Sequence, residues 1–176
     1  IHRLSGLIEA LVREPIDKGS THFQPTSLQF TTVDVGNKAT NIAPGMAKAR
    51  LNIRFNPNHT GRGLADWIAA EAARAAEGFS GTVTVTPLIS GEAFLTERGA
   101  FTDLVSSAVA EVAGRPPELS TSGGTSDARF IRALCPVVEL GLVGKTMHAV
   151  DERAPVAEIR ALQQVYGLII ERYFEG

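Results

Sequence analysis

Several absences narrow what this chain can be before any motif is read. It has one cysteine, Cys135, in 176 residues, so no internal disulfide is available and the chain fits a reducing compartment, the cytoplasm. Lysine and arginine number 17 against 19 acids, a formal charge of −2, which leaves no basic face for a nucleic-acid partner. No apolar run approaches the ~20 residues that cross a bilayer, so no membrane role is expected. The charged-then-apolar pattern of a leader is not seen, nor is any internal repeat or low-complexity segment. The first residue is Ile1 rather than Met, and Leu4, Leu7, Ile8, Leu11 and Val12 form an apolar stripe with no N-cap residue ahead of it. The chain is therefore expected to be a piece of a longer one.

What remains is ordinary globular material, 44% hydrophobic and 20% charged, enough for one domain or two small ones. Glu14-Pro15 stops the first helix, and a polar loop leads to a strand at about 27–35. There Leu28 and Phe30 share one face while Val33 and Val35 share the other, which predicts a bulge near Thr31-Thr32 or burial on both faces. Gly36 to Asn41 is turn chemistry. Residues 47–55 alternate strictly, with Ala47, Ala49, Leu51, Ile53 and Phe55 inward and Lys48, Arg50, Asn52 and Arg54 outward. A helix at 62–77 ends at Gly78, and residues 82–86 alternate as a strand before Pro87.

The order α-β-β-α-β over residues 1–88 becomes a split βαβ, ferredoxin-like arrangement if one strand is added in front. Composition changes near Ser90, so residues 1–90 and 91–176 are assigned to different domains. Phe101 to Val112 is an amphipathic helix, ended by Gly114 and Pro116-Pro117, and Pro155 starts a last helix. Helix, strand, helix, strand, helix is the tail of an α/β layered domain.

Chemistry concentrates between Ser120 and Glu152. Ser122-Gly123-Gly124-Thr125-Ser126-Asp127 reads as a tight loop opening onto a helix. That is either a plain turn or a set of backbone N–H groups suited to an anion. Pro136 to Leu140 reads as a buried strand, with Cys135 beside it as a small core residue rather than a nucleophile. His148 sits in an acidic loop, as a surface histidine or as one metal ligand among others supplied elsewhere. Arg54, on the polar side of the 47–55 strand, reads by itself as a wet surface arginine. His2, His22 and His59 are read as structural or surface residues, and Asp151 and Glu152 as a solvated acidic turn.

Three stretches of the second half carry a resemblance: Ser122-Gly123-Gly124-Thr125-Ser126-Asp127-Ala128-Arg129-Phe130, Val137-Val138-Glu139-Leu140-Gly141 and Met147-His148-Ala149-Val150-Asp151-Glu152. Phe23-Gln24-Pro25-Thr26-Ser27-Leu28-Gln29, Thr40-Asn41-Ile42-Ala43-Pro44 and Asn52-Ile53-Arg54-Phe55 extend it upstream. Together they resemble the second half of the di-zinc deacylases and exopeptidases, the family of desuccinylases, acetylornithine deacetylase and aminoacylase. The resemblance implies a ferredoxin-like lid and dimerisation domain lacking its first strand, followed by the C-terminal part of an α/β catalytic domain.

The resemblance also implies hydrolysis of a small N-acyl amino acid with two Zn2+ per site. His148 matches the family's C-terminal zinc-ligating histidine, and Arg54 an arginine that contacts substrate from the lid. Ser90, Gly124 and Thr125 match residues around the bound acyl group, and Asn41 an asparagine that reaches the other subunit of a homodimer. The remaining ligands and the glutamate base match nothing here, so no catalytic residue is expected in this chain and the chain alone is expected to be inactive. Two other readings are a deacylase of different acyl specificity, such as acetylornithine deacetylase, and a non-catalytic ferredoxin-like dimerisation or ligand-binding module.

Overall fold

The computed structural model of the chain describes residues 1–121 and 126–175, which divide into two compact units, Ile1–Phe94 and Leu95–Gly176. The architecture is mixed α/β. Among the described residues, no helix is long and apolar enough to cross a membrane.

The first unit contains α1 (His2–Val12), β1 (Ser27–Asp34), β2 (Lys48–Arg54) and α2 (Gly61–Ala75). The apolar stripes predicted for the two helices pack α1 against α2, burying Leu11, Leu64, Ala65 and Ala72. Thr60 caps α2 from an extended backbone, its hydroxyl accepting the Gly63 N–H at 3.0 Å. Gly78, at φ +69°, takes the left-handed turn that ends the segment.

β1 and β2 pair antiparallel, Ser27 opposite Arg54, Leu28 opposite Ile53 and Phe30 opposite Leu51. The register slips between Phe30 and Thr32, so Thr31 is the bulge that the parity of the strand anticipates. The extra residue returns Val33 to the face of Leu28 and Phe30, opposite Ala49. Along β2 Ala49, Leu51 and Ile53 are half-buried, while Lys48, Arg50, Asn52 and Arg54 are exposed.

Two predicted strands do not form. Residues 82–86 and 136–140 carry no strand, and the sheet among the described residues is two-stranded. A strand exists through its ladder, and among the described residues neither segment pairs with a neighbouring strand. Val83 accordingly stays 43% exposed. Cys135 is exposed rather than in a core, because the strand expected beside it is absent.

The second unit contains α3 (Ala100–Ala113), the short α4 (Ala128–Ile131) and α5 (Val156–Glu175). α3 packs on α5 through Val105, Ala108 and Val165, and Phe101 meets Tyr173 edge-on at 6.0 Å. Arg172 adds a hydrogen bond to Ser107 at 2.9 Å and an ion pair with Glu111. Gly114, at φ +71°, ends α3. The segment predicted as a strand is pinned by side chains instead: Thr96 donates to the Val137 carbonyl at 2.8 Å and Tyr166 to the Leu140 carbonyl at 2.7 Å.

Leu11 is 2% exposed at the α1–α2 contact, whereas Val33 is 53% exposed. Leu11→Ala is expected to destabilise the chain by about 2–5 kcal/mol and Val33→Ala by less than about 1 kcal/mol. Urea denaturation of the two variants checks the contrast, and equal midpoints would show that the α1–α2 contact is not a core.

Candidate substrate-binding and metal-ligand residues

Arg54 ends β2 with its side chain exposed, and the chain just beyond it is held very tightly. Asn56 is 2% exposed; its amide donates to Asp17 Oδ1 at 2.9 Å and to the Gln24 carbonyl at 3.2 Å. Its Oδ1 accepts the Asn58 N–H at 2.9 Å, and its backbone N–H reaches Thr26 Oγ1 at 3.4 Å. A buried amide with its donors and acceptor all engaged locks the strand end rather than destabilising it.

Asp17 is the centre of this network. Oδ1 accepts from the Gly19 N–H at 2.6 Å and Thr26 N–H at 3.2 Å, and Oδ2 lies 2.9 Å from His59 Nε2. Burial alone would push the Asp17 carboxyl up. The hydrogen bonds it accepts from Thr26, Gly19 and Asn56 outweigh that and hold it well below the usual carboxylate range. His59, expected as a turn histidine outside any metal set, is a structural partner of Asp17, ion-paired whenever its ring is protonated.

Asn41 lies exposed in the connection between β1 and β2. Asn37 braces that connection, its Nδ2 donating to the Ala39 carbonyl at 3.0 Å and the Ile42 carbonyl at 2.8 Å. Ser90 is exposed in a stretch with no helix or strand. Gly124 and Thr125 lie outside the described residues.

In the second unit, His148 is exposed on a loop closed by one hydroxyl. Thr146 Oγ1 donates to the Arg153 carbonyl at 2.8 Å and accepts the Arg153 N–H at 3.0 Å. Within that closure His148 and Asp151 stand at φ 63° and 60°, left-handed conformations that non-glycine residues adopt at a cost of about 1–2 kcal/mol. Strained residues of this kind persist where the surroundings over-determine them, and they gather at ligand-handling sites.

Within the first unit, no hydrogen bond or ion pair among the described residues joins Asn41, Arg54 and Ser90 to one another. Nor do any three His, Cys, Asp or Glu side chains among the described residues converge into a metal-binding group. His148 offers one imidazole, and a catalytic zinc site takes three protein ligands, so the described residues alone do not make one. A cleft of about 820 Å³ in the first unit, lined by Leu11, Ile16, His59, Leu64 and Trp67 among others, includes none of the predicted site residues. Asp17 and Asn56, which hold the backbone behind Arg54, were not singled out from the sequence. The local signal for Asp17 was its spacing to Gly19, an aspartate bonding the N–H two residues on.

The sequence model of the peptidase family M20/M25/M40 matches residues 4–172. The chain is 71% identical to succinyl-diaminopimelate desuccinylase of Phenylobacterium zucineum over 168 residues, 96% of this chain and 44% of that protein. It is 61% identical to the protein of that name from Caulobacter vibrioides, over 97% of this chain and 44% of the relative. For the Rhodospirillum rubrum protein of the same name the identity is 51%, over 100% of this chain and 45% of the relative. The chain therefore spans less than half the length of the curated relatives it matches.

The Asp17 network sets an acid limit on stability. Its folded pKa is depressed, so the stabilisation is complete above the unfolded value of about 4 and is lost as pH falls below it. Asp17→Asn should destabilise the chain by about 1–3 kcal/mol at pH 7, and the gap should narrow as pH drops from about 5 toward 2. Denaturant midpoints across that range test this; a gap independent of pH would mean that the ionised carboxylate is not what matters.

Proposed function

The chain belongs to peptidase family M20/M25/M40, and from that premise we propose that it is the lid and C-terminal catalytic portion of a zinc-dependent amide hydrolase. The substrate proposed is N-succinyl-LL-2,6-diaminopimelate, cleaved to succinate and LL-diaminopimelate in cytoplasmic lysine and diaminopimelate biosynthesis. The observation that carries this reading is near-complete overlap, at high identity, with proteins named succinyl-diaminopimelate desuccinylase.

The proposed roles are those the family resemblance implies, with charge and placement as further support for Arg54. Arg54, exposed on the polar face of β2 with its backbone fixed, addresses a substrate carboxylate. Ser90, Gly124 and Thr125 contact the acyl group. His148 supplies one zinc ligand, and the strained loop around it supports the idea of a fixed imidazole. Zinc, when bound, supplies Lewis-acid polarisation of the scissile amide. The other ligands and the general base are assigned to the share of the relatives' length that this chain does not span.

Residues 1–90 are read as a ferredoxin-like lid that forms a homodimer, Asn41 reaching the partner subunit's site, and residues 91–176 as part of the catalytic domain. The unpaired segment 82–86 suits that arrangement, since a ladder partner would turn its alternation into a strand.

In the full-length protein, Arg54→Ala is expected to lower kcat/KM about ten- to a hundredfold with zinc content unchanged, because it removes a charged hydrogen-bond donor and no ligand. Unchanged kinetics with the succinylated substrate would leave Arg54 a surface residue, and a preference for acetyl substrates would move the acyl specificity to another deacylase.

The 176-residue chain alone is expected to hydrolyse no substrate with zinc added. Complementation with the rest of a relative's length should restore activity, and His148→Gly should abolish it. Because glycine relieves the left-handed strain, the same change should leave thermal stability within about 1 kcal/mol of the parent. Zinc-dependent hydrolysis by the chain on its own would show that the site lies elsewhere.

A further inference from the structure

The stretch that carries Ser90 has no regular structure to hold it. Residues 80–94 form neither helix nor strand, and Leu88, Ile89, Ser90 and Glu92 are exposed. Two side chains of this stretch, Glu92 and Ile89, meet Gly61, the first residue of α2. Glu92 accepts the Gly61 N–H with both carboxylate oxygens, each at 3.1 Å, across 31 residues of sequence. Ile89 occupies the space where a side chain at Gly61 would stand: a Cβ there would lie 2.6 Å from Ile89 Cγ2 and 3.2 Å from Glu92 Oε1. The anchors therefore bracket Ser90 on either side.

The chemistry of the contact is specific. The first turn of α2 contains no acidic residue, so the carboxylate that answers the positive end of its dipole comes from Glu92. Thr60 takes a different orphan donor, the Gly63 N–H, so the two caps do not compete. Immediately before Thr60 stands His59, bonded to Asp17, and Asp17 holds Asn56, two residues beyond Arg54. One helical turn thus ties together the backbones that present Ser90 and Arg54.

We infer that Glu92 and Gly61 are positioning residues for substrate recognition, with the N-terminal turn of α2 as the anchor that fixes Ser90 relative to Arg54. This deepens the proposed function and rests on its reading of Ser90 as an acyl contact. Neither residue touches substrate. Glu92 acts by holding the backbone from one side, and Gly61 by leaving room for that backbone to approach. A helix cap with no such role would change stability and leave kinetics alone.

The test is steady-state kinetics of the full-length protein with succinyl-diaminopimelate, with melting temperatures measured alongside, for Ser90→Ala, Glu92→Ala, Glu92→Gln, Gly61→Ala and the Ser90/Glu92 double variant. Ser90→Ala should raise KM about tenfold, and Glu92→Ala about three- to tenfold with kcat changed less than about twofold. The double variant should be no worse than the more impaired single one, because Glu92 works through Ser90. Glu92→Gln keeps an oxygen that can accept the Gly61 N–H and should recover most of the KM. Gly61→Ala displaces the same segment from the other side and makes the comparison should Glu92→Ala fail to fold.

An impaired Ser90→Ala enzyme beside Glu92→Ala and Gly61→Ala enzymes of normal KM overturns the inference alone, as do effects that multiply in the double variant. An unchanged Ser90→Ala enzyme overturns the reading of Ser90 as an acyl contact, and the inference with it.

Discussion

One carboxylate organises the part of the first unit on which the candidate substrate residues depend. Asp17 collects the Gly19 and Thr26 N–H groups, the Asn56 amide and the His59 ring, donors spread over some forty positions of the chain. Because those partners precede β1, follow β2 and precede α2, the network fixes three element ends at one point. Charged acceptors form stronger hydrogen bonds than neutral ones, and a shared acceptor makes its donors interdependent. Removing the side chain would leave the buried Asn56 amide short of a partner, which costs more than the single bond lost. Arg54 is exposed, yet the backbone just beyond it is set by a group far away in sequence.

The helices were legible because their signal is local. Apolar spacing, Gly78, Gly114 and Pro155 place α1, α2, α3 and α5 within about two residues of where they form. The bulge at Thr31 was legible too, from a change of parity that only an extra residue or two-sided burial could reconcile. Strands at 82–86 and 136–140 were misjudged for one physical reason. Alternation says which side chains share a face, but a strand needs a partner, and the pattern within a segment contains no information about whether one is present. Where no ladder forms, single side chains such as Thr96 and Tyr166 take over the carbonyls.

The site was legible unevenly. His148 stands out in the sequence as an imidazole among acids, with a plain surface alternative, while the substrate role of Arg54 comes from the family resemblance, its place on the polar face of a strand being compatible with it. Asn41 and Ser90 rest on resemblance entirely, since an asparagine in a turn and a serine in a loop have no spacing that betrays a ligand. Glu92 stayed hidden because its partner is a backbone N–H 31 residues away. A carboxylate that caps a distant helix looks, in sequence, like any solvated glutamate. Gly61 stayed hidden for a related reason: its lack of a side chain serves a close approach rather than a turn, and closeness is a tertiary fact.

His148 and Arg54 show the same design in different units. Each is exposed at the side chain while its backbone is constrained, by Asp17 and Asn56 behind Arg54 and by Thr146 closing on Arg153 around His148. Histidine and aspartate enter the left-handed region more readily than most side chains, yet glycine would occupy both positions with no Cβ penalty. The cost of holding those residues so is of order 1–2 kcal/mol each, offset by hydrogen bonds that do nothing but close the loop. Stability alone gives no reason to keep that arrangement, because glycine would relieve it. A side chain on a backbone that is already fixed loses less freedom on binding, which is the physical ground for the roles proposed for His148 and Arg54.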